Sequence, residues 1–168
     1  YENRLNESTA DFGDQQEITT SADCARTVYA TDLDGDGDAD VLSASDLDNK
    51  IAWYENVGAG NGANGGSFGL QQEITNSADG ARSVYATDLD GDGDADVLSA
   101  SQGDDKIAWY ENQVGGVFGP QQVITVSAVG AYSVYATDLD GDGDVDVLPA
   151  SHGDDKSVWY SNRMNNLK

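Results

Sequence analysis

Three acidic nonapeptides carry the residues whose types and spacing could do chemistry in this chain. The first reads Asp-Leu-Asp-Gly-Asp-Gly-Asp-Ala-Asp over residues 32–40, and near-identical segments occupy residues 88–96 and 138–146. Each has carboxylates at every second position and glycines at the fourth and sixth. Carboxylates about 4 Å apart repel by roughly 4 kcal/mol at an effective dielectric of 20. No basic residue lies inside these segments to offset the repulsion, so a bound cation is the natural partner.

A chain that coils at Gly35 and Gly37 would aim these aspartates inward, because glycine adopts positive φ at little cost. Oxygen ligands at this spacing suit Ca²⁺, a hard divalent cation. In the first loop we expect four side-chain ligands and the carbonyl of Asp38, and we predict about three Ca²⁺ in all, one for each loop. The candidate metal ligands are Asp32, Asp34, Asp36, Asp38, Asp40, Asp88, Asp90, Asp92, Asp94, Asp96, Asp138, Asp140, Asp142, Asp144 and Asp146. The side-chain ligands expected in the first loop are Asp32, Asp34, Asp36 and Asp40.

The EF-hand begins with the same Asp-x-Asp-x-Asp-Gly pattern but requires a bidentate Glu at its twelfth position. The twelfth residues here are Ser43, Ser99 and Pro149, so the closing carboxylate must come earlier, at the ninth position. The flanking sequences have the composition of strands rather than helices. A solvated acidic turn is the remaining alternative, and three copies with glycines in the same places disfavour it.

The acidic loops mark an internal repeat of about fifty residues. Short segments of small and β-branched residues, separated by Gly, Asn and Asp, predict four strands in each repeat and no helix. In the second repeat the predicted strands are 81–87, 96–101, 106–112 and 118–125, with the acidic loop joining the first two. The chain then divides into an N-terminal segment (1–24), repeat 1 (25–80), repeat 2 (81–130) and repeat 3 (131–168).

The pattern Asp-x-Asp-Gly-Asp-Gly-x-x-Asp between two strands, with an upstream Phe-Gly pair, resembles the FG-GAP/VCBS repeat. The pairs here are Phe12-Gly13, Phe68-Gly69 and Phe118-Gly119, and the resemblance covers nearly the whole chain. It implies an all-β fold of four-stranded, β-propeller-like blades with calcium loops, as in integrin-type propellers. It also implies a secreted or cell-surface protein. It does not fix a ligand, because such repeats occur in adhesins, receptors and domains attached to carbohydrate-active enzymes.

The two ends of the chain fall at the same phase of the repeat. Tyr1-Glu2-Asn3 matches the ends of the third strands at residues 54–56 and 110–112, so a fourth strand is predicted near residues 12–19. The last repeat ends after its third strand. We expect the N-terminal strand to complete a blade in a neighbouring subunit or in a further part of a longer chain. Propellers typically have four to eight blades, and head-to-tail donation gives a ring or a filament.

Composition excludes several classes of partner. The formal net charge is −23, from 31 acidic and 8 basic residues. Nucleic acid binding requires clustered Lys and Arg, so it is excluded, as is an anionic membrane surface. No apolar run reaches the roughly 18 residues of a membrane span. The chain begins with Tyr, and we expect it to be processed or cut from a longer protein. A protein or glycan ligand remains open.

Several other residues have a structural and a functional interpretation. The Trp-Tyr pairs at 53–54, 109–110 and 159–160 and the tyrosines at 29, 85 and 135 are expected in the core, with sugar-stacking platforms as the alternative. The Asp-x-Lys segments at 48–50, 104–106 and 154–156 are expected to form turns, with a second cation site as the alternative. Cys24 stands where the other repeats have Gly80 and Gly130, and we expect a half-buried free thiol, with an intermolecular disulfide as the alternative. Asn6-Glu7-Ser8 matches the N-glycosylation pattern.

No catalytic constellation is visible. The acidic loops are alike in all three repeats, whereas an active site needs one asymmetric set of groups. The single His and single Cys lie in different repeats, which also disfavours zinc. We therefore expect a non-catalytic, extracellular calcium-binding module with a binding, adhesion or structural role. The alternatives are a self-assembling subunit that donates a strand, and an accessory carbohydrate-binding domain of a polysaccharide-active enzyme.

Overall fold

The computed structural model describes residues 14–58 and 67–163. These residues form three antiparallel sheets and no helix, which confirms the predicted all-β fold of repeated, β-propeller-like blades. Blade 1 contains β1 (Ala25–Thr31), β2 (Asp40–Ser45), β3 (Lys50–Tyr54) and β4 (Gln72–Thr75). Blade 2 contains β5 (Ala81–Thr87), β6 (Asp96–Ser101), β7 (Lys106–Tyr110) and β8 (Gln122–Thr125). Blade 3 contains β9 (Ala131–Thr137), β10 (Asp146–Ser151) and β11 (Lys156–Ser157).

Each acidic loop connects the first and second strands of its blade. The residue before the loop pairs with the last aspartate of the loop, as Thr31 does with Asp40, Thr87 with Asp96 and Thr137 with Asp146. Strands are joined in sequence order, so every blade is a meander. The register therefore places all three loops at the same end of their sheets.

The outer strands are shorter than the sequence predicts. The third strand of blade 2 ends at Tyr110 rather than residue 112, and its fourth strand begins at Gln122 rather than residue 118. Between them, Asn112 and Phe118 form only an isolated bridge. Of the predicted N-terminal strand, residues 12 and 13 lie outside the described residues, as do Tyr1-Glu2-Asn3 and Asn6. Residues 14–19 belong to no strand.

The core of the molecule lies between the blades, and each interface joins two different sheet surfaces. We call the surface that a blade presents to the next blade its forward face, and the opposite surface its back face. At the first interface the forward face of blade 1 contributes Leu33, Leu42, Ala44, Ile51 and Trp53, and the back face of blade 2 contributes Ala78, Ala81, Val84, Ala86, Val97 and Tyr110. At the second, blade 2 contributes Leu89, Leu98, Ala100 and Ile107, and blade 3 contributes Ala128, Ala131, Val134, Ala136 and Val147. Burial of these apolar faces is the main force that stacks the sheets.

Blade 3 has three strands within the described residues, and its third is interrupted. Pro149 replaces the Ser43 and Ser99 of the other second strands and has no N–H to donate to the facing strand. Val158 N–H still donates to the Pro149 carbonyl at 3.3 Å, but the reciprocal bond is missing. Regular pairing therefore stops at Ser157 and returns as a single bridge between Val147 and Tyr160. No helix in the described part of the chain is long and apolar enough to cross a membrane.

Candidate metal centres

The first aspartate of each loop fixes the coil of the backbone. In blade 1 the Oδ1 of Asp32 accepts from the N–H of Gly35 at 2.8 Å, and its Oδ2 accepts from the N–H of Gly37 at 3.0 Å. The φ angles of these glycines are 84° and 95°, as the sequence predicts. The same pair of hydrogen bonds is present in the loops of blades 2 and 3. One carboxylate therefore binds two main-chain N–H groups and holds the loop in its coiled conformation.

The third and fifth aspartates are held by short-range turns. The Oδ1 of Asp34 accepts from the N–H of Asp36 at 3.1 Å, and the Oδ1 of Asp36 accepts from the N–H of Asp38 at 2.8 Å. Aspartate favours such turns because its side chain reaches the backbone two residues on. A carboxylate has about four lone-pair sites, so one backbone bond leaves room for a cation.

The ninth aspartate closes the loop and is completely buried in every blade. The Oδ2 of Asp96 accepts from the N–H of Leu89 at 2.9 Å, and its Oδ1 accepts from the N–H of Asn112 at 2.8 Å. Asp40 and Asp146 have the equivalent partners at 2.8–3.0 Å. This carboxylate thus joins the loop to the end of the third strand. Sequence reasoning missed that link, although an asparagine two residues after the Trp-Tyr pair recurs in all three repeats and could have indicated it.

Carboxylate oxygens from three aspartates converge to within 4.8 Å of one another in each loop. In blade 1 these come from the first, third and fifth positions, and in blades 2 and 3 from the first, third and ninth. The groups are Asp32, Asp34 and Asp36; Asp88, Asp90 and Asp96; and Asp138, Asp140 and Asp146. The other six aspartates lie in the loops outside these groups, and the carbonyl of Asp38 stays a predicted ligand.

The electrostatics of the loops disfavour negative charge. Burial and then the neighbouring Asp92 raise the pKa of Asp90, and burial, with weaker repulsion from neighbouring aspartates, raises the pKa values of Asp34 and Asp140. Burial raises the pKa of Asp96 to about 6, even though the N–H groups of Asn112 and Leu89 act in the opposite direction. The ion pairs of Asp46, Asp48, Asp104 and Asp154 with lysines and arginines lie outside the acidic loops. Clustered hard oxygen donors fit a calcium ion.

Adjacent loops lie side by side on one surface of the molecule. Asp88, Asp90 and Gly91 from blade 2 and Gly143 and Asp144 from blade 3 line one cavity of about 270 Å³. The candidate centres of blades 2 and 3 are therefore neighbours on this surface.

An FG-GAP-like repeat model matches residues 32–99 and 88–148, which together span more than half of the chain. The chain belongs to the FG-GAP-like repeat family. Each match starts in or at the acidic loop of one repeat and extends into the second strand of the next, so the loop and its flanking strands carry the family signature. The FG-GAP identity predicted from the sequence is confirmed.

Among solved structures, this FG-GAP repeat protein is similar to a lectin of Agrocybe aegerita that is described as recognising non-reducing terminal N-acetylglucosamine. The two share 23% identity with a TM-score of 0.53, over 73% of this chain and 32% of the lectin chain. The similarity supports the fold, and the chain spans about a third of the lectin's length. No curated protein sequence matches the chain.

The Asp-x-Lys turns are internally neutralised. Asp48, Asp104 and Asp154 form ion pairs with Lys50, Lys106 and Lys156 at 3.1, 2.6 and 2.9 Å, respectively. A serine hydroxyl donates to each of the same carboxylates. The lysine ammonium groups occupy the place of a second cation, so the turn-forming interpretation is favoured.

The aromatic residues are divided between core and surface. Trp53 and Tyr110 are buried between blades 1 and 2, as expected, and Tyr54 is buried on the back face of blade 1. Trp159 is exposed on the forward face of blade 3, which no other blade covers within the described residues. The tyrosines at 29, 85 and 135 were expected in the core, and this is wrong for Tyr135, which is 51% exposed. The three form a ladder with centroid distances of 4.8 Å, and burial and the neighbouring hydroxyl groups raise the pKa of the central Tyr85.

Proposed function

We propose that this FG-GAP repeat protein is a secreted or surface-displayed, calcium-stabilised binding module without catalytic activity. The convergence of three carboxylate oxygens within 4.8 Å in every loop carries the proposal. Calcium loops of modest affinity operate where calcium is near millimolar, which is outside the cell. Fifteen loop aspartates, one set of five in each loop, supply the donors.

The convergent aspartates of each loop would hold one Ca²⁺ each, with further donors from the remaining loop positions. The ion would supply the positive charge that the loop lacks. Groups of the chain itself position the ligands. The first aspartate accepts from the N–H groups of both loop glycines, and the ninth accepts from the N–H of the asparagine just after the third strand. Calcium therefore stabilises the connection between three strands of each blade, and its energy adds to the folding free energy.

The repetition of the centres supports a binding role over a catalytic one. Catalytic carboxylates usually differ in environment so that one is an acid and another a base. Here the same residues hold the same hydrogen bonds in three blades. Three equivalent sites of this kind suit structural ions, which would fix the conformation of the loops that hold them.

Thermal unfolding in calcium and in excess EGTA tests the proposal. We expect a fall of more than 10 °C on chelation, reversed by calcium and not by magnesium at the same concentration. Asp90→Asn should reduce the calcium-dependent gain by about a third, because one of three loops is affected. Glu73→Gln, in the outer strand β4, is the matched control. Equal melting temperatures with and without calcium would contradict the proposal.

A polar cleft beside the first strands of the blades favours a glycan as the ligand. Arg26, Arg82 and Tyr132 line a polar cleft of about 420 Å³ at the start of the three first strands. Tyr132 is 56% exposed, and the guanidinium carbon of Arg82 lies 6.0 Å from its ring centroid. An exposed ring beside fixed donors suits a sugar, and the similar lectin recognises a terminal sugar.

A glycan array with the wild-type chain and the Tyr132→Ala variant tests this ligand class. We expect binding of a defined set of glycans by the wild type and at least a tenfold loss in the variant. Tyr135→Ala, which changes another exposed tyrosine outside the cleft, should retain binding. An array that is silent at high protein concentration would contradict glycan recognition and leave a protein ligand favoured.

A further inference from the structure

We propose that the polar cleft at the start of the first strands recognises an acidic glycan, and that Arg26 and Arg82 bind the carboxylate of its sugar. The inference rests on the glycan recognition proposed above and names the class of sugar. The cleft is built by three consecutive blades, and Arg82 in the middle blade has a described blade on each side.

A β-bulge recurs at the start of the first strand in all three blades. In blade 1, Ala25 and Thr27 pair with consecutive residues of β2, so Arg26 between them has no partner in the ladder. Arg82 and Tyr132 take the same place in blades 2 and 3. A bulge redirects a side chain and is often found beside a binding site. Here the three bulged side chains all line one cleft.

The bulged residues differ between blades, although the sequence that follows them is almost the same. The twelve residues after the bulge are identical in repeats 2 and 3, at 83–94 and 133–144, and repeat 1 differs from them only at Thr27. The bulged residue, by contrast, is arginine in two blades and tyrosine in the third. The cleft is therefore asymmetric, with cations towards one side and an aromatic ring towards the other, as the recognition of one oriented ligand requires.

The two arginines share a single carboxylate. The Nη2 of Arg26 lies 2.5 Å from the Oδ2 of Asp46, and the Nη1 of Arg82 lies 3.5 Å from the same oxygen. The Nε of Arg82 donates to the neutral side-chain oxygen of Gln102 at 2.6 Å. Among the described residues that line the cleft, none is acidic. Two positive charges with one negative charge leave an excess of positive charge at the cleft.

The guanidinium groups retain donors for a ligand. Arginine has five N–H donors in a planar fork, and Arg26 donates to Asp46 only through its Nε and Nη2. The side chains of Arg26 and Arg82 are 39% and 22% exposed, so solvent and ligands reach both. A carboxylate presents two oxygens in a plane, which matches the arginine fork in a way that a hydroxyl group does not.

The acidic loops are far enough from the cleft that they do not prevent anion binding. Asp32 begins its loop six residues after Arg26, and a strand rises about 3.3 Å per residue, so the two lie about 20 Å apart. The Debye length is about 8 Å at physiological ionic strength, so repulsion over that distance is largely screened. The basic residues of the blades lie at the cleft end of the sheets: Arg26, Arg82, Lys50, Lys106 and Lys156.

Hydrogen bonds between blades hold the bulges in position. The hydroxyl group of Thr27 donates to the Arg82 carbonyl at 2.6 Å, and the hydroxyl group of Ser83 accepts from the N–H of Val134 at 3.3 Å. Each bond joins the residue after one bulge to the first strand of the next blade. The cleft is therefore fixed before a ligand arrives, which lowers the entropic cost of binding.

Tyr132 supplies an apolar surface next to the arginines. Its ring lies beside Arg82 on one side and has the His152 ring at a centroid distance of 6.4 Å. A sugar whose carboxylate binds Arg82 would place the C–H face of its ring against Tyr132. The charge and the ring together favour an acidic sugar over both a neutral sugar and an inorganic anion.

A glycan array with matched acidic and neutral members tests the class of sugar. Suitable pairs are terminal glucuronic acid against terminal glucose, and N-acetyllactosamine with and without sialic acid. We expect the acidic member of at least one pair to bind at least tenfold more tightly. Binding confined to neutral members would overturn this inference and leave glycan recognition intact, whereas a silent array would contradict both. Equal binding of sulfated counterparts would overturn the carboxylate assignment.

Calorimetric titration of variants with the tightest-binding acidic member of these pairs tests the site. We expect Arg82→Gln to lose at least tenfold in affinity, and Arg82→Lys to recover only part of the loss because an ammonium group lacks the fork. Lys50→Gln removes the same charge at the same end of the sheets, outside the cleft, and should change affinity less than twofold. Arg26→Gln, at the more exposed arginine, gives a second measurement if Arg82→Gln melts early. Arginine variants that bind as tightly as Lys50→Gln would overturn the proposal.

Discussion

The carboxylate of Asp96 accepts a hydrogen bond from the main-chain N–H of Asn112 at 2.8 Å, and this contact ties the acidic loop of blade 2 to the end of its third strand. Asp96 is fully buried and also accepts from Leu89. The residue is therefore a structural anchor as well as a candidate calcium ligand. These two roles respond differently to metal removal.

Replacement of Asp96 separates the structural role of this carboxylate from its role as a calcium ligand. Asp96→Ala leaves two buried N–H groups without a partner, and we expect a loss of roughly 2–5 kcal/mol in the free energy of unfolding. Part of the loss should persist in metal-free protein, because the N–H contacts need no ion. Urea unfolding with and without calcium measures both parts. Glu73→Ala, on the outer strand, is the control, and a loss that vanishes completely without calcium would rule out the anchoring role.

Asn112 couples two blades, and its substitution should be more damaging than that of its equivalent in blade 1. Its buried side-chain amide donates to the Leu33 carbonyl of the preceding blade and to the Ala95 carbonyl. We expect Asn112→Ala to lower the free energy of unfolding by about 1–3 kcal/mol. Asn56→Ala should cost less, roughly 0.5–1 kcal/mol, because its amide donates to the Ala39 carbonyl and accepts from the N–H of Gly58, both within blade 1. Equal effects in chemical denaturation would contradict a cross-blade role.

The metal-free protein should lose stability as the pH rises. The folded-state pKa of Asp96 is about 6, above its ordinary value of 3.8, so between these values the folded state holds a proton that the unfolded chain has released. Its contribution to stability is complete below about pH 4 and is lost as the pH rises through about 6. Calcium should reverse the trend, since it binds the ionised form.

Urea unfolding of dialysed, metal-free protein from pH 4.5 to 7.5 measures this dependence. Asp96→Asn should flatten it, because the titrating group is removed. Stability that increases with pH in the absence of metal would contradict the electrostatic description of the loop.

Two adjacent glycines distinguish backbone strain from steric exclusion. Gly115 and Gly116 have φ angles of 68° and 72°, but only a Cβ on Gly116 would meet another residue, at 2.4 Å from the Trp53 ring. Gly115→Ala should cost about 1 kcal/mol from strain alone. Gly116→Ala should cost at least 2 kcal/mol more and change the tryptophan fluorescence, because Trp53 must move. Equal melting temperatures for the two variants would show that this loop does not pack on Trp53.

The sequence predicts the blades well because their signals are local. The glycines of the acidic loop and the alternation of small and apolar residues determine β5 and β6 to the residue. The outer strands were overestimated, since the pairing of Phe118 depends on a partner strand rather than on its own pattern. The exposure of Tyr135 could not be predicted locally either, because it depends on whether another blade follows.

The candidate metal centres could also be predicted only in part. Which aspartates belong to a loop is visible from spacing alone, whereas the partners of the ninth aspartate depend on a contact sixteen residues along the chain. The burial of individual side chains is also beyond local patterns. Val28 and Val84 lie in nearly the same sequence, and Val84 alone is buried because blade 1 packs against it.

The number of calcium ions bound to each chain tests the central claim most directly. Native mass spectrometry of calcium-equilibrated protein should show three Ca²⁺ per chain, and Asp90→Asn should show two. A chain that retains no stoichiometric calcium at millimolar concentration would contradict the account.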